Sequence, residues 1–335
     1  MTYKVAINGF GRIGRLALRQ IVEDDVCDVV AINTRGSKPK MLAHLLKYDS
    51  TQGMFNHDIT HDDDSIYVDG KQIRTFTGSD ARQSPWGELG IDLVAECTGA
   101  YTSKEKSQAH LDAGAKKVVV SAPAGSDVPT IVYNVNHETL KAEDTIISTA
   151  SCTTNCLAPM AKALNNFVPI RAGIMTTVHS YTGDQKILDA PHKDVRRARS
   201  GAFNIVPNTT GAAKAIGLVI PELDGKLIGS SQRIPTPTGS TTLLYAVVGC
   251  DDELTIADVN AAMKNATNET YGYTDDPIVS SDIIGMRYGS LFDATQTMVE
   301  KYTDHEYLVQ AVAWYDNENS YVSQMVRTIN YYLSL

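Results

Sequence analysis

The first fifteen residues constrain the fold more than any other stretch of this 335-residue chain. Tyr3 to Ile7 alternates and is rich in β-formers, which predicts a strand. Asn8-Gly9-Phe10-Gly11-Arg12-Ile13-Gly14-Arg15 follows, and a helical pattern then runs through Leu16, Leu18, Ile21 and Val22. Val29-Val30-Ala31-Ile32-Asn33 reads as a second, apolar strand. Strand, helix and strand of these lengths make a right-handed parallel unit. A G-x-G-x-x-G run is a weak signal alone, but one that follows a strand and opens a helix reads as a dinucleotide cradle. Gly9 allows the tight turn, Gly11 lets the backbone approach a pyrophosphate, and Gly14 lets helix and strand pack closely. The pyrophosphate would sit at the helix N-terminus. A structural turn without a ligand is the alternative.

The alternation continues. Ser65 to Arg74 carries Asp69-Gly70 between alternating runs, a hairpin signal. Asp92–Cys97 is a buried strand ending at Thr98-Gly99, Lys104–Ala113 a helix, Lys117–Ser121 a strand, and Thr145–Thr149 a last one. This predicts a doubly wound, mostly parallel α/β sheet over residues 1–151. Beyond it the pattern changes to long strands, at Arg171–His179, Leu227–Ile234, Thr241–Val248 and Leu308–Trp314. Helices are expected at Thr255–Thr267 and near Asn208–Gly217. Long strands with segregated helices predict an α+β domain, residues 152–316, with a mainly antiparallel sheet. A helical pattern from Tyr321 to Leu333 closes the chain, so 317–335 is assigned to a C-terminal helix returning to the dinucleotide-binding domain.

The chain is acidic, with a formal net charge of −9, which argues against nucleic acid or an anionic membrane as the main partner. The opening residues lack a signal-peptide pattern and no apolar run suffices for a transmembrane helix. Five cysteines, Cys27, Cys97, Cys152, Cys156 and Cys250, are scattered without zinc-ligand spacing. They fit a reducing cytoplasm and no metal site.

Ser151-Cys152-Thr153-Thr154-Asn155-Cys156 carries the chemistry. It follows an apolar run and precedes a helical pattern, so Cys152 is expected at a helix N-terminus, where the dipole favours an anion. A thiol there is expected to lose its proton more easily, and the thiolate is the nucleophile. A buried structural cysteine is the alternative, which the polar neighbours oppose; Cys156 is read as structural. His179 ends a long strand and is a candidate base for the thiol, although spacing alone does not show that the two meet. A nucleotide site plus a nucleophilic thiol suggests aldehyde oxidation: the thiolate adds to the carbonyl, the adduct gives up a hydride, and a thioester remains for water or phosphate. Arg233, Thr182, Thr209, Thr210 and Gly211 are candidate phosphate contacts.

About twenty residues past the glycine run, an acid that would hold a ribose 2′-hydroxyl is expected. Counting from Gly14 lands on Thr34, with Arg35 next. A hydroxyl beside an arginine can accept a 2′-phosphate, so the sequence permits NADP; the alternative is NAD bound through other contacts.

Together these motifs closely resemble phosphorylating glyceraldehyde-3-phosphate dehydrogenases. The residues that carry the match are Asn8–Arg15, His44–Ser50, Ser151–Cys156, Thr177–Asp184, Pro191–Arg199, Thr209–Lys214 and Trp314–Glu318. The resemblance implies a Rossmann-type N-terminal domain, and conversion of D-glyceraldehyde 3-phosphate and inorganic phosphate to 1,3-bisphosphoglycerate. It implies Cys152 as the catalytic thiol and His179 as its base. Thr182 and Arg233 match the substrate-phosphate site; Ser151, Thr153, Thr210 and Gly211 match the inorganic-phosphate site. Asn317 matches the residue holding the nicotinamide carboxamide, with Tyr321 beside the ring. The cofactor set comprises Asn8, Gly9, Gly11, Arg12, Ile13, Gly14, Thr34, Arg35, Thr98, Gly99, Ser121, Ala190, Asn317 and Tyr321. The family's homotetramer places an S-shaped loop, here Ser180 to Ile205, at the subunit core. Thr34 and Ala190 depart from NAD-specific members, which carry an acid and a leucine there, so dual cofactor use or an NADP preference is expected. Glu318-Asn319-Ser320 also departs from the usual Glu-aromatic-Gly. The nearest rival is an erythrose-4-phosphate dehydrogenase that hydrolyses its thioester; a nucleotide-binding protein with an added surface role is a different class.

Overall fold

A computed structural model describes residues 2–335, which form two compact units. The first comprises the chain up to Ile131, His137–Ala150 and Met325–Leu335; the second comprises Val132–Asn136 and Ser151–Gln324.

The first unit is built on an eight-stranded sheet. Its strands are β1 (Lys4–Asn8), β2 (Asp28–Thr34), β3 (Ile59–His61), β4 (Ser65–Val68), β5 (Lys71–Thr77), β6 (Leu93–Glu96), β7 (Lys117–Val120) and β8 (Ile146–Ser148). They lie in the order β3-β4-β5-β2-β1-β6-β7-β8. From β5 to β8 neighbours are parallel; β3 and β4 add an antiparallel edge. Parallel strands are covered on both faces, so they read as apolar runs. Val5, Ala6, Ile7, Val94, Ala95, Val118 and Val119 are fully buried. Helices α1 (Arg12–Asp24), α2 (Pro39–Lys47), α3 (Trp86–Leu89) and α4 (Lys104–Asp112) supply cover. The Asp69-Gly70 hairpin joins β4 to β5, with both residues at positive φ, 50° and 78°.

In the second unit α5 (Cys152–Phe167) is followed by β9 (Ile170–Ser180), β10 (Val206–Thr209), α6 (Ala212–Val219), β11 (Leu227–Ile234) and β12 (Ser240–Gly249). Then come α7 (Ile256–Asn265), β13 (Tyr271–Thr274), β14 (Ser290–Asp293), β15 (Met298–Lys301) and β16 (Glu306–Tyr315). The sheet order is β10-β11-β9-β12-β16-β14-β13, with β15 also on β16. It is mainly antiparallel, with parallel pairs at β11/β9 and β13/β14. Residues 206–209 extend as a strand on β11, and the helix expected near Asn208–Gly217 begins only at Ala212. Pro207 lacks the N–H a helix interior needs, but an edge strand tolerates it.

Helix α8 (Asn319–Ser334) is divided between the units at Gln324, not at the 316/317 boundary expected from sequence. Gln324 Nε2 donates to Tyr133 O at 3.3 Å, which holds the start of the helix to the second unit. Further along, Lys117 Nζ stacks 3.8 Å from the Tyr332 ring centroid and donates to Tyr332 O, within the first unit. Among the described residues no helix is long and apolar enough to cross a membrane.

Candidate active site

Two constellations carry chemistry, one in each unit. In the first, β1 delivers Asn8 and Gly9 to the carboxyl edge of the sheet, where the strand order reverses between β2 and β6 on either side of β1. Such switch points form ligand crevices. A cleft of about 300 Å³ lies there, lined by Asn8, Gly9, Gly11, Asn33, Thr34, Arg35, Thr98, Gly99 and Tyr101, among others. A larger cleft of about 970 Å³, lined by Lys4, Asp28 and Lys71, lies at the amino ends of β1 and β2, where open α/β sheets do not bind nucleotides.

The glycines fit a dinucleotide. Gly9 adopts φ +97°, and a Cβ there would lie 2.8 Å from Thr98 N. A Cβ on Gly14 would lie 2.1 Å from Gly9 O, so this position serves helix–strand contact. A Cβ on Gly11 would meet nothing within 4 Å, so its backbone borders open space that a pyrophosphate can enter. Arg12 opens α1, but its guanidinium forks onto Asp49 and reaches Thr51. Burial alone would raise the Asp49 carboxyl; the Arg12 fork and the Gln52 and Thr51 N–H groups instead hold it down at about 2. Asn33 Nδ2 donates to Asn8 Oδ1, and Asn8 Nδ2 to the buried Glu96 carboxylate, at 2.7 and 2.5 Å. No carboxylate lines the cleft, whereas Thr34 and the exposed Arg35 do. Ser121 lies just past β7 and does not line this cleft.

Ala150, at φ 57°, turns the chain into Ser151, where this segment of the second unit begins, and Cys152 opens α5. Ser151 caps the helix: its Oγ accepts from Thr154 N at 3.1 Å. Cys152 Sγ lies 3.3 Å from His179 Nε2. Nδ1 of the same ring lies 2.6 Å from Ser180 O. A carbonyl only accepts, so Nδ1 carries the proton and Nε2 offers its lone pair to the thiol. The ring meets the Tyr315 ring edge-on, centroids 5.9 Å apart. Tyr315 is fully buried, and its hydroxyl joins Thr153 Oγ1 at 3.0 Å and Thr177 Oγ1 at 2.7 Å. Its role was not foreseen from sequence; only its inward phase on β16 could have signalled it.

Parallel pairing places Arg233 of β11 directly opposite His179 of β9. Arg233 Nη1 donates to Ser180 O and Thr182 Oγ1, both at 3.2 Å, while its Nε is buried without a partner. Burial, followed by the Arg233 charge, brings His179 down to about 3. Burial pushes the Cys152 thiol up, against the pull of Arg233. This corrects the expectation of a thiol acidified by the helix start: each charge taken singly is penalised by loss of water. Moving one proton from Sγ to Nε2 creates both charges at once, and their mutual attraction opposes that penalty.

Gly211 precedes α6 and Thr210 Oγ1 accepts from Ala212 N at 3.2 Å, so both sit at a helix start. Ala190 lies in the long 181–205 loop, its N–H on Ala198 O. Asn317, just before α8, and Tyr321, in its first turn, are buried. Cys156 is fully buried near Ser290 Oγ and Ala313 O, its thiol pushed up to about 12 by burial.

Residues 3–104 match the family model described as glyceraldehyde 3-phosphate dehydrogenase, NAD binding domain, and residues 151–317 match its C-terminal domain. The chain belongs to the glyceraldehyde-3-phosphate dehydrogenase family. It is 58% identical to the glyceraldehyde-3-phosphate dehydrogenase of Clostridium pasteurianum over 334 residues, 99% of either chain. It is 57% identical to that of Clostridium acetobutylicum over the same span. The Streptococcus pyogenes serotype M1 enzyme is 55% identical over 338 residues, covering all of this chain and 99% of that one. Glyceraldehyde-3-phosphate dehydrogenases are NAD-dependent oxidoreductases of glycolysis, and the mixed α/β architecture with one mostly parallel and one mainly antiparallel sheet is theirs.

Proposed function

We propose that this chain converts D-glyceraldehyde 3-phosphate and inorganic phosphate to 1,3-bisphosphoglycerate, with Cys152 as nucleophile and His179 as acid–base. One observation carries the assignment: Sγ and Nε2 are 3.3 Å apart while Nδ1 is committed to Ser180 O. His179 takes the thiol proton as sulfur attacks the aldehyde carbon. The carbonyl π electrons move to oxygen, which receives that proton from Nε2 to give the thiohemiacetal. His179 then accepts the hydroxyl proton as the carbonyl re-forms, leaving a thioester on Cys152. NAD, when bound, supplies the hydride acceptor. Phosphate attacks the thioester, the C–S bond breaks, and His179 returns its proton to sulfur. Arg233 and Thr182 suit the substrate's phosphate by charge and hydrogen bonding. Thr210, Gly211 and the start of α6, with Ser151 and Thr153, suit the attacking phosphate. The test is Cys152→Ser, which abolishes turnover while NAD still binds; full turnover in that variant rejects the assignment.

The cofactor reading extends to NADP. Support comes from Thr34 and Arg35 and from the absence of an acid among the residues lining the cleft. A homotetramer is the expected assembly. On the sheet of the second unit, Ile228, Ile174 and Tyr245 are aligned across β11, β9 and β12, and all are exposed. The 181–205 loop exposes Ile187, Leu188, Val195 and Phe203, the last at 86%. Apolar surface of this kind marks a docking face, and a second copy is the occupant the family supports. The unpaired cysteines support a reducing, cytoplasmic location.

A further inference from the structure

Asn317 is 5% exposed, and its side-chain amide has two sides that a hydrogen-bonding ligand would tell apart. Its Oδ1 lies 3.2 Å from both Thr238 Oγ1 and Ser240 Oγ. Each hydroxyl has one proton to give. Thr238 Oγ1 is nearer the Asp316 carboxylate, at 2.7 Å, and its proton goes to that stronger acceptor. Ser240 Oγ already accepts the Ser180 N–H at 3.0 Å. Ser240 is 1% exposed, so its own proton needs a protein acceptor, and Asn317 Oδ1 is the acceptor within reach. That bond locks the amide with its carbonyl turned inward. Nδ2 makes no hydrogen bond to any described residue.

We infer that Ser240 is a positioning residue: it makes Asn317 present an N–H donor to the ligand, so the site selects a carboxamide by its carbonyl oxygen. This rests on the reading that Asn317 holds the nicotinamide carboxamide. Ser240 also joins two parts of the second unit. Ser180, whose N–H it accepts, is the residue whose carbonyl fixes the His179 tautomer. The segment that orients the base and the amide that orients the ring are therefore tied through one hydroxyl. Without the Ser240 proton, Oδ1 faces only the Thr238 hydroxyl, whose proton goes to Asp316, and the amide can turn its carbonyl towards a carbonyl.

The experiment compares NAD+ with ADP-ribose, which lacks the nicotinamide, by titration calorimetry on the full-length protein carrying Ser240→Ala, Ser240→Thr or Asn317→Ala. In Ser240→Ala the NAD+ dissociation constant rises about fivefold to tenfold, the loss of one neutral hydrogen bond, while that of ADP-ribose is unchanged. Ser240→Thr keeps the hydroxyl and restores NAD+ binding. Asn317→Ala narrows the gap between the two ligands at least as much. If Asn317→Ala narrows the gap and Ser240→Ala does not, the role of Ser240 is overturned. If neither narrows it, the reading of Asn317 falls instead. An equal weakening of both ligands in Ser240→Ala, unrelieved in Ser240→Thr, shows a general packing role and also overturns the proposal.

Discussion

Arg233 and His179 face each other across the parallel pair β11/β9, so a fixed positive charge stands beside the imidazole that meets Cys152. The charge works in two directions. It opposes a proton on His179 and favours the loss of one from Cys152. The imidazole therefore stays neutral in the resting site, with the lone pair of Nε2 ready for the thiol proton.

His179→Gln removes that acceptor and leaves the thiol to ionise alone against burial. The rate of Cys152 alkylation by iodoacetamide then rises only at higher pH than in the unmodified protein. Turnover falls by about a hundredfold or more, the scale of a lost general base. An alkylation profile that does not move would show that the 3.3 Å contact carries no proton transfer.

Arg233→Leu, placed in the His179→Gln background, isolates the effect of the cation on sulfur. Arg233 lowers the Cys152 pKa, so its loss raises it, and the alkylation profile shifts further up. As a single change, Arg233→Leu lowers kcat/KM for the phosphorylated aldehyde by roughly tenfold to a hundredfold, the scale of a charge-assisted hydrogen bond. Equal loss with a non-phosphorylated aldehyde would count against its phosphate role.

Thr34→Asp tests the cofactor cleft. A carboxylate there repels a 2′-phosphate and accepts from a 2′-hydroxyl. The KM for NADP is expected to rise roughly tenfold or more, with that for NAD unchanged or lower. Steady-state kinetics with both cofactors decide this. An unmodified protein inactive with millimolar NADP would end the dual-use reading.

Asp49 reports on acid stability. Its folded pKa is depressed from 3.8 to about 2, so the ionised form contributes stability above 3.8 that is lost as pH falls through about 2. Asp49→Asn is expected to be less stable near neutral pH, with the difference shrinking as pH falls below about 4. Urea midpoints at a series of pH values measure it. A difference that is constant with pH would mean that the Arg12 fork is not the source.

The glycine run was legible because its requirements are local: a positive φ at Gly9, contact at Gly14 and open space at Gly11 follow from a strand turning into a helix. The strand periods were legible for the same reason, and they distinguished a buried parallel sheet from a mainly antiparallel one. The helix near Asn208 was misjudged because apolar spacing does not reveal that an extended segment will pair with β11. The boundary near α8 shifted because Gln324 finds Tyr133, a contact between residues far apart in the chain.

Sequence by itself determined the residue types, the order of the elements and the family, since these depend on short-range pattern and on the motifs themselves. Tertiary structure alone decided that Nε2 of His179 reaches Sγ of Cys152, that register sets Arg233 beside them, and that the hydroxyl of Ser240 settles the direction of the Asn317 amide. It also decided the sign of the thiol's shift. A helix start favours the anion, but burial acts on the whole charge, and burial is a property of the packed molecule.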